Sequence, residues 1–315
     1  MHVTTKTSFF AGAVAIAATS TLWSTPVAAF TVNQNNDGLL LLTALLGDTT
    51  GLNNFDINLT GDSRSFGTFL NDPFGLDSGV VLSTGRVVDL PGPNTADNYI
   101  PGVPNSTDLS TNLGRPGVGP ISVPGFGTFP TFDLAQLDIS FDADDTVSAL
   151  FFNYVFGSEE FVEYGGTEFN DQFELLLNGV NLAKLNNGQT VSINNLVPNP
   201  SGPYNADYIN NPAGSGVANT RLDGFTVPLT FQGNVLQNAR NILSIRIFDV
   251  GDGILDSAVF VQGGSLRTEP VEPEPVEPEP VDPPQSIPEP GTILGLLGMA
   301  GAAVLSRRRA RNQGG

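Results

Sequence analysis

Residues 147–156 read VSALFFNYVF, and this decamer decides the fold. In an extended chain Leu150, Phe152, Tyr154 and Phe156 fall on one face, and Ala149, Phe151, Asn153 and Val155 on the other. Both faces are largely apolar, so the segment predicts a central strand covered on both sides. Working outward, strands are expected at 55–60, 80–82, 171–177, 225–231 and 257–262, separated by Gly and Asn turns. Leu243, Ile245 and Ile247 alternate with Ser244 and Arg246, which predicts a half-exposed strand. One helix is expected, at 37–47 (DGLLLLTALLG), capped by Asp37, stopped at Gly47, and buried because its leucines are too dense for a surface helix. The count and spacing predict an all-β fold, an antiparallel two-sheet sandwich of jelly-roll type with one short N-terminal helix. Residues 91–130 hold 15 Gly or Pro in 40 positions, a long loop excursion that is either a variable binding surface or a loop with no role.

Composition removes several function classes. The chain has no cysteine, and its single histidine (His2) and single tryptophan (Trp23) precede residue 30. From residue 30 onward there is therefore no Ser-His-Asp or Cys-His nucleophile and no zinc site with the usual nitrogen or sulfur ligands. Lys184 is the only lysine beyond Lys6, so a Ser-Lys dyad would depend on that one residue. Residues 30–267 carry 25 Asp or Glu against eight Lys or Arg, a balance of −17 that repels phosphate backbones and argues against nucleic acid as a partner. Without disulfides, stability has to come from the core, β pairing or bound ions.

The two ends read as targeting devices. Lys6, the apolar run over 9–18 and the small residues Val27-Ala28-Ala29 follow the order of a secretory signal, with cleavage expected after Ala29 and the Sec translocon as the expected partner. The apolar run is about ten residues, half the roughly twenty that a span needs. Residues 268–290 (TEPVEPEPVEPEPVDPPQSIPEP) predict a disordered Pro/Glu stalk, which at about 3.1 Å per residue could extend to roughly 70 Å. Residues 292–305 are almost entirely apolar and run into Arg307, Arg308, Arg309 and Arg311, predicting a short C-terminal transmembrane helix with its basic end in the cytoplasm. At about 1.5 Å per residue that helix falls short of a roughly 30 Å hydrocarbon core, as suits a temporary anchor.

Pro288-Glu289-Pro290, a short apolar helix and an arginine cluster, in that order over 288–315, resemble the PEP-CTERM sorting signal. The resemblance implies an exosortase that cuts near the motif and passes the body to the outer envelope or extracellular matrix of a Gram-negative-type bacterium that makes exopolysaccharide. The alternative is a plain tail anchor without processing. A second resemblance covers most of 37–266. FNYVFGSEEF (152–161), FNDQF (169–173), DGFT (223–226) and FDVGDGILDSAVF (248–260), with LTALLG (42–47) and VLSTG (81–85), resemble the choice-of-anchor L domain. That family implies one extracellular body carried on alternative anchors, and it brings no established activity. Ala135 stands where the family pattern would place another acid.

Hard oxygen ligands collect in these blocks: Glu159, Glu160, Asn170, Asp171, Asp249, Asp252 and Asp256. Calcium takes six to eight such oxygens without needing nitrogen or sulfur, and it is the candidate cofactor. The spacing over 249–256 is not that of an EF-hand loop. The alternative is that these acids bond turn and strand-end amides. Glu159 and Glu160 also invite comparison with a glycosidase pair, but adjacent strand residues point apart and cannot flank one bond. The expectation is thus a non-enzymatic surface or matrix protein with a structural or adhesive role, in contact with exopolysaccharide or other surface proteins. A lectin-like domain using Tyr99, Tyr164, Tyr204 or Tyr208 is the alternative. Intact mass spectrometry of the exported protein from an exosortase host should show a chain that starts at Phe30 and lacks residues 307–311. Retention of Met1 or of the arginines would reject the corresponding cut.

Overall fold

The computed structural model describes residues 29–268 except Asn105. The expected signal segment before Ala29, the stalk beyond Thr268 and the sorting tail lie outside the described residues. Among the described residues no helix is long and apolar enough to cross a membrane.

The chain runs through β1 (Thr31–Gln34), α1 (Gly38–Leu45), β2 (Leu52–Thr60), β3 (Phe66–Leu70) and β4 (Ser78–Ser83). The excursion follows, with a small hairpin of β5 (Ile121–Val123) and β6 (Gly127–Phe129), and then β7 (Thr131–Ala143), β8 (Ala149–Ser158), β9 (Gln172–Leu177) and β10 (Val180–Asn181). After α2 (Ile193–Leu196) come β11 (Tyr208–Asn210), β12 (Gly224–Thr226), β13 (Leu229–Asn234), β14 (Ala239–Val250) and β15 (Ser257–Gln262). An eight-stranded antiparallel sheet has the order β1-β3-β4-β15-β8-β12-β11, with β13 also on β8, and a five-stranded sheet has the order β10-β9-β14-β7-β2. The fold is all-β, as the alternation predicts.

β8 sits mid-sheet, bonded to β15 on one side and to β13 and β12 on the other. Its Leu150, Phe152, Tyr154 and Phe156 join Leu137, Ile139 and Phe141 of β7, Phe173 and Leu175 of β9, and Leu243, Ile245 and Ile247 of β14 in one core shared by both sheets. Tyr154 meets Phe173 across the layers at 5.0 Å between ring centroids. On its other face Val155 packs into a second cluster with Phe30, Phe69, Phe74, Val81, Leu109, Leu222 and Phe260. The large sheet is therefore covered on both sides, as its two-faced sequence requires.

Several expectations are refined. Asp37 does cap α1, accepting from the N–H groups of Leu39 and Leu40, but Leu39 and Leu40 are exposed and only Leu41, Leu42 and Leu45 are buried. A two-turn helix has an outer side whatever its composition. The strand expected at 225–231 is two, β12 and β13, broken at Val227-Pro228, where proline lacks the ladder donor. β7, the longest strand, is not among those expected, although its apolar-in, polar-out alternation is regular from Ala135 to Ala143. Ala135 is fully buried in the shared core, which explains a methyl rather than a carboxylate there.

Phe260 lies under Phe30, Phe69 and Phe74 with no exposed surface. Phe260→Ala should lower the unfolding free energy by about 3–5 kcal/mol. Ile242→Ala, at an exposed position of β14, should stay within about 0.5 kcal/mol. Urea unfolding at one fixed calcium concentration distinguishes them; equal losses would contradict a second core on the outer sheet face.

Candidate metal centre

Antiparallel topology brings the motif acids to one end of both sheets. β8 ends at Ser158 and β4 at Ser83, while β12 and β15 begin beside them at Gly224 and Ser257. In the smaller sheet the matching ends are the start of β9, the start of β7 and the end of β14. Glu159 and Glu160 thus follow β8, Asp223 precedes β12, Asp256 precedes β15, Asp171 precedes β9, and Asp249 lies in β14 at a register irregularity against β7. The two sheets are tied here by Asp171, which accepts from the Val250 N–H at 2.9 Å and the Ser257 hydroxyl at 2.6 Å.

Glu159, Glu160, Asp171, Asp223, Asp249 and Asp256 are all at most 3 % exposed. None of the five ion pairs among the described residues reaches them. Arg64 and Arg115 are both taken by Asp62, whose carboxyl the Arg64 hydrogen bond holds well below the usual range. Both oxygens of Asp249 lack a hydrogen-bond partner, as do Glu159 Oε2, Glu160 Oε2 and Asp223 Oδ2. Burial raises Glu160 and Asp249 far above ordinary carboxyl values, and the adjacent Asp171 charge adds to both. The Thr84 hydroxyl offsets part of the effect on Asp249, without hydrogen-bond geometry to either oxygen. Burial also pushes Glu159 up to about 8 and Asp171 up to about 7, although both accept several donors.

The excursion over 91–130 is the lid of this cluster. Glu159 Oε1 accepts from the Thr107 hydroxyl at 2.5 Å and from the N–H groups of Asp108 and Leu109 at 2.8 and 3.3 Å. The Thr111 N–H donates to Asp256 at 3.0 Å, and those of Leu113 and Arg115 donate to Asp133 at 2.8 and 2.6 Å. A polar loop that folds onto buried acids is what its Gly and Pro content could not reveal. Gly85 lies so close to Asp256 that any β-carbon there would overlap the carboxylate, which accounts for the glycine in the VLSTG block.

All seven acids and amides singled out in the sequence lie at this end, with Asp252 in the turn between β14 and β15. Asp252, half-buried, has its Oδ1 engaged by the Ile254 N–H at 3.1 Å, the turn role anticipated as the alternative. Asn170 is buried, with Oδ1 accepting from the Asn194 N–H at the start of α2. Glu159 and Glu160 diverge, the first toward Thr107 and the second toward a pocket of about 110 Å³ shared with Tyr99, Tyr164, Phe169 and Asp252. Asp133, Asp223 and Glu163 were not readable as candidates, although DGFT already marked Asp223. Among the described residues no group of three or more His, Cys, Asp or Glu side chains is already arranged to hold a metal ion. A calcium shell would accordingly draw on carbonyls and water as well as on two or so of these carboxylates.

The pH response of the metal-free chain follows from the signs. A carboxyl whose folded pKa is raised binds its proton more tightly in the native state, so stability falls as pH rises from the unfolded value near 4 to the folded one. With Asp171 near 7 and Glu159 near 8, the melting midpoint in chelator should drop between pH 4.5 and pH 8. A flat profile measured by differential scanning calorimetry would show that these carboxyls do not resist ionisation.

The sequence profile of the choice-of-anchor L domain matches residues 28–267, and that of the PEP-CTERM protein-sorting motif matches residues 286–310. No curated protein and no solved structure matches the chain.

Proposed function

The chain belongs to the choice-of-anchor L family and carries an exosortase sorting motif, and from this premise we propose that it is a calcium-braced structural or adhesive protein of the cell surface or extracellular matrix. The motif marks it for export, for transient anchoring through its tail and for exosortase. In this reading the Sec translocon delivers a β-sandwich body that the stalk carries outward, and its acidic surface contacts exopolysaccharide or other surface proteins. No catalytic role is assigned to it.

The observation that carries the calcium reading is Asp249. An ionised carboxylate held out of water with neither oxygen bonded is strongly unfavourable, and so is its ionisation beside Asp171. Either a proton or a cation has to neutralise the pair. A divalent ion suits an exterior rich in calcium, and the ligands available are oxygen only. The carbohydrate-binding alternative draws on the pocket where Tyr99 and Tyr164 meet, but at about 110 Å³ it is smaller than the usual 300–1,000 Å³ ligand site. Tyr204 meets Tyr208 edge to face, Tyr208 also packs at a tilt on Phe161, and neither tyrosine lines that pocket.

Calcium at about 100 times its dissociation constant should add about 2.7 kcal/mol to the folded state and raise the melting midpoint by about 5–10 °C. Magnesium should do less, since it demands a regular octahedron. Asp249→Asn keeps the shape and removes the charge. The variant should melt at or above the wild-type temperature in chelator, and below it in calcium. Loss of stability in chelator would mark Asp249 as a structural hydrogen-bond acceptor, and identical wild-type curves with and without calcium would end the reading.

A further inference from the structure

DGFT is an acid-bearing motif block that the site built on Asp171 and Asp249 leaves unused. We propose that its Asp223 and Glu159, with the Glu163 carboxyl nearby rather than in the shell, form a second calcium centre that fastens the excursion, from Asn94 onward, to the end of the large sheet. The inference rests on the calcium reading above and adds a separate ion to it.

The register sets the two principal acids side by side. Gly224 pairs with Ser158, and Phe225 with Gly157, so Asp223 and Glu159 are the residues that immediately flank the last pair of this ladder. The Asp223 N–H donates to the Ser158 carbonyl at 3.1 Å, one residue out of that register, so the ladder ends in an irregularity that leaves Asp223 beside the Ser158–Glu159 peptide. Like charges at neighbouring strand ends repel, and here both are removed from water, Glu159 being wholly buried and Asp223 1 % exposed. Each spends one oxygen on the excursion: Glu159 Oε1 on Thr107, Asp108 and Leu109, and Asp223 Oδ1 on the Asn94 amide at 2.6 Å. The other oxygens, Glu159 Oε2 and Asp223 Oδ2, have no partner, and neither has Glu163 Oε2. Unpartnered oxygens of buried acids on neighbouring strands are the arrangement a hard cation completes, with backbone carbonyls and water filling a shell of six to eight.

The centre is distinguished from the first by what holds its acids: Glu159 and Asp223 are bonded to the excursion through Thr107, Asp108, Leu109 and Asn94, whereas Asp171, beside Asp249, is bonded to Val250 and Ser257 at the junction of the two sheets. Asp97 is held in place by the Ala213 N–H and the Asn94 amide at 2.6 and 3.0 Å, so Asn94 joins the excursion to both carboxylates. An ion between Glu159 and Asp223 would therefore make the order of this part of the excursion depend on calcium.

Native mass spectrometry of the exported protein, stripped of metal and reloaded with calcium, counts the ions. Wild type should carry two, Asp223→Asn one, and Asp249→Asn one. Glu163→Gln, at a half-buried position that tolerates the change, should keep both ions at high calcium and weaken one of them by about tenfold, since the Glu163 charge attracts the ion from nearby. Two ions in Asp223→Asn, or a single ion in wild type that Asp249→Asn abolishes and Asp223→Asn keeps, overturns the second centre while leaving the first standing. No bound calcium in wild type overturns both, with a proton shared between Glu159 and Asp223 as the remaining neutraliser.

Discussion

Removing a carboxylate from water costs several kcal/mol unless something positive or a full set of donors replaces the lost hydration. Six acids at one end of the sandwich are placed in that position, and no arginine or lysine among the described residues forms an ion pair with them. The net stability of a domain is only about 5–15 kcal/mol, so a cluster of this kind cannot stay ionised without counter-charge. The excursion, the motif glycines and the strand-end hydroxyls can all be understood as parts of the arrangement that contains it.

Containment works through donors that belong to the backbone. Thr107 through Arg115 turn successive N–H groups toward Glu159, Asp256 and Asp133, while Ser257 and Val250 serve Asp171. Such bonds lower the cost of burial without cancelling it, and the carboxyls remain raised. Leu109, between two of these contacts, is buried in the outer core beside Phe225 and Phe260, so the lid is held by apolar packing as well as by charge. A loop fixed at both levels links the composition of the surface to the state of the acids beneath it.

Two-sided burial of the large sheet gives this end its rigidity. Because β8 is covered on both faces, the residues that follow Ser158 leave the sheet from a fixed point, and those preceding Gly224 and Ser257 enter it from fixed points alongside. Extracellular calcium modules work with dissociation constants of about 10⁻⁴–10⁻³ M. Under the proposed reading, sites in that range would fill only after export, and a chain with no cysteine would gain outside the cell the bracing that disulfides give other secreted proteins.

The strand character of 147–156, the apolar alternation of 243–247 and the capping of α1 by Asp37 were legible in the sequence because each is a local matter of periodicity or of a side chain reaching its own next turn. The acids were also legible as a set, since they sit in compact blocks, and so was the sorting motif. Period-2 alternation assigns a residue to a face but does not say which distant strand lies beside it. That Asp223 and Glu159 flank the same end of the β12–β8 pairing, that Asp171 bridges the two sheets, and that Asn170 turns to Asn194 are consequences of long-range pairing. The same holds for the excursion: its glycines and prolines announced a loop, but only the closed tertiary structure, by placing bare carboxylates within reach of its amides, decided that this loop would be a lid.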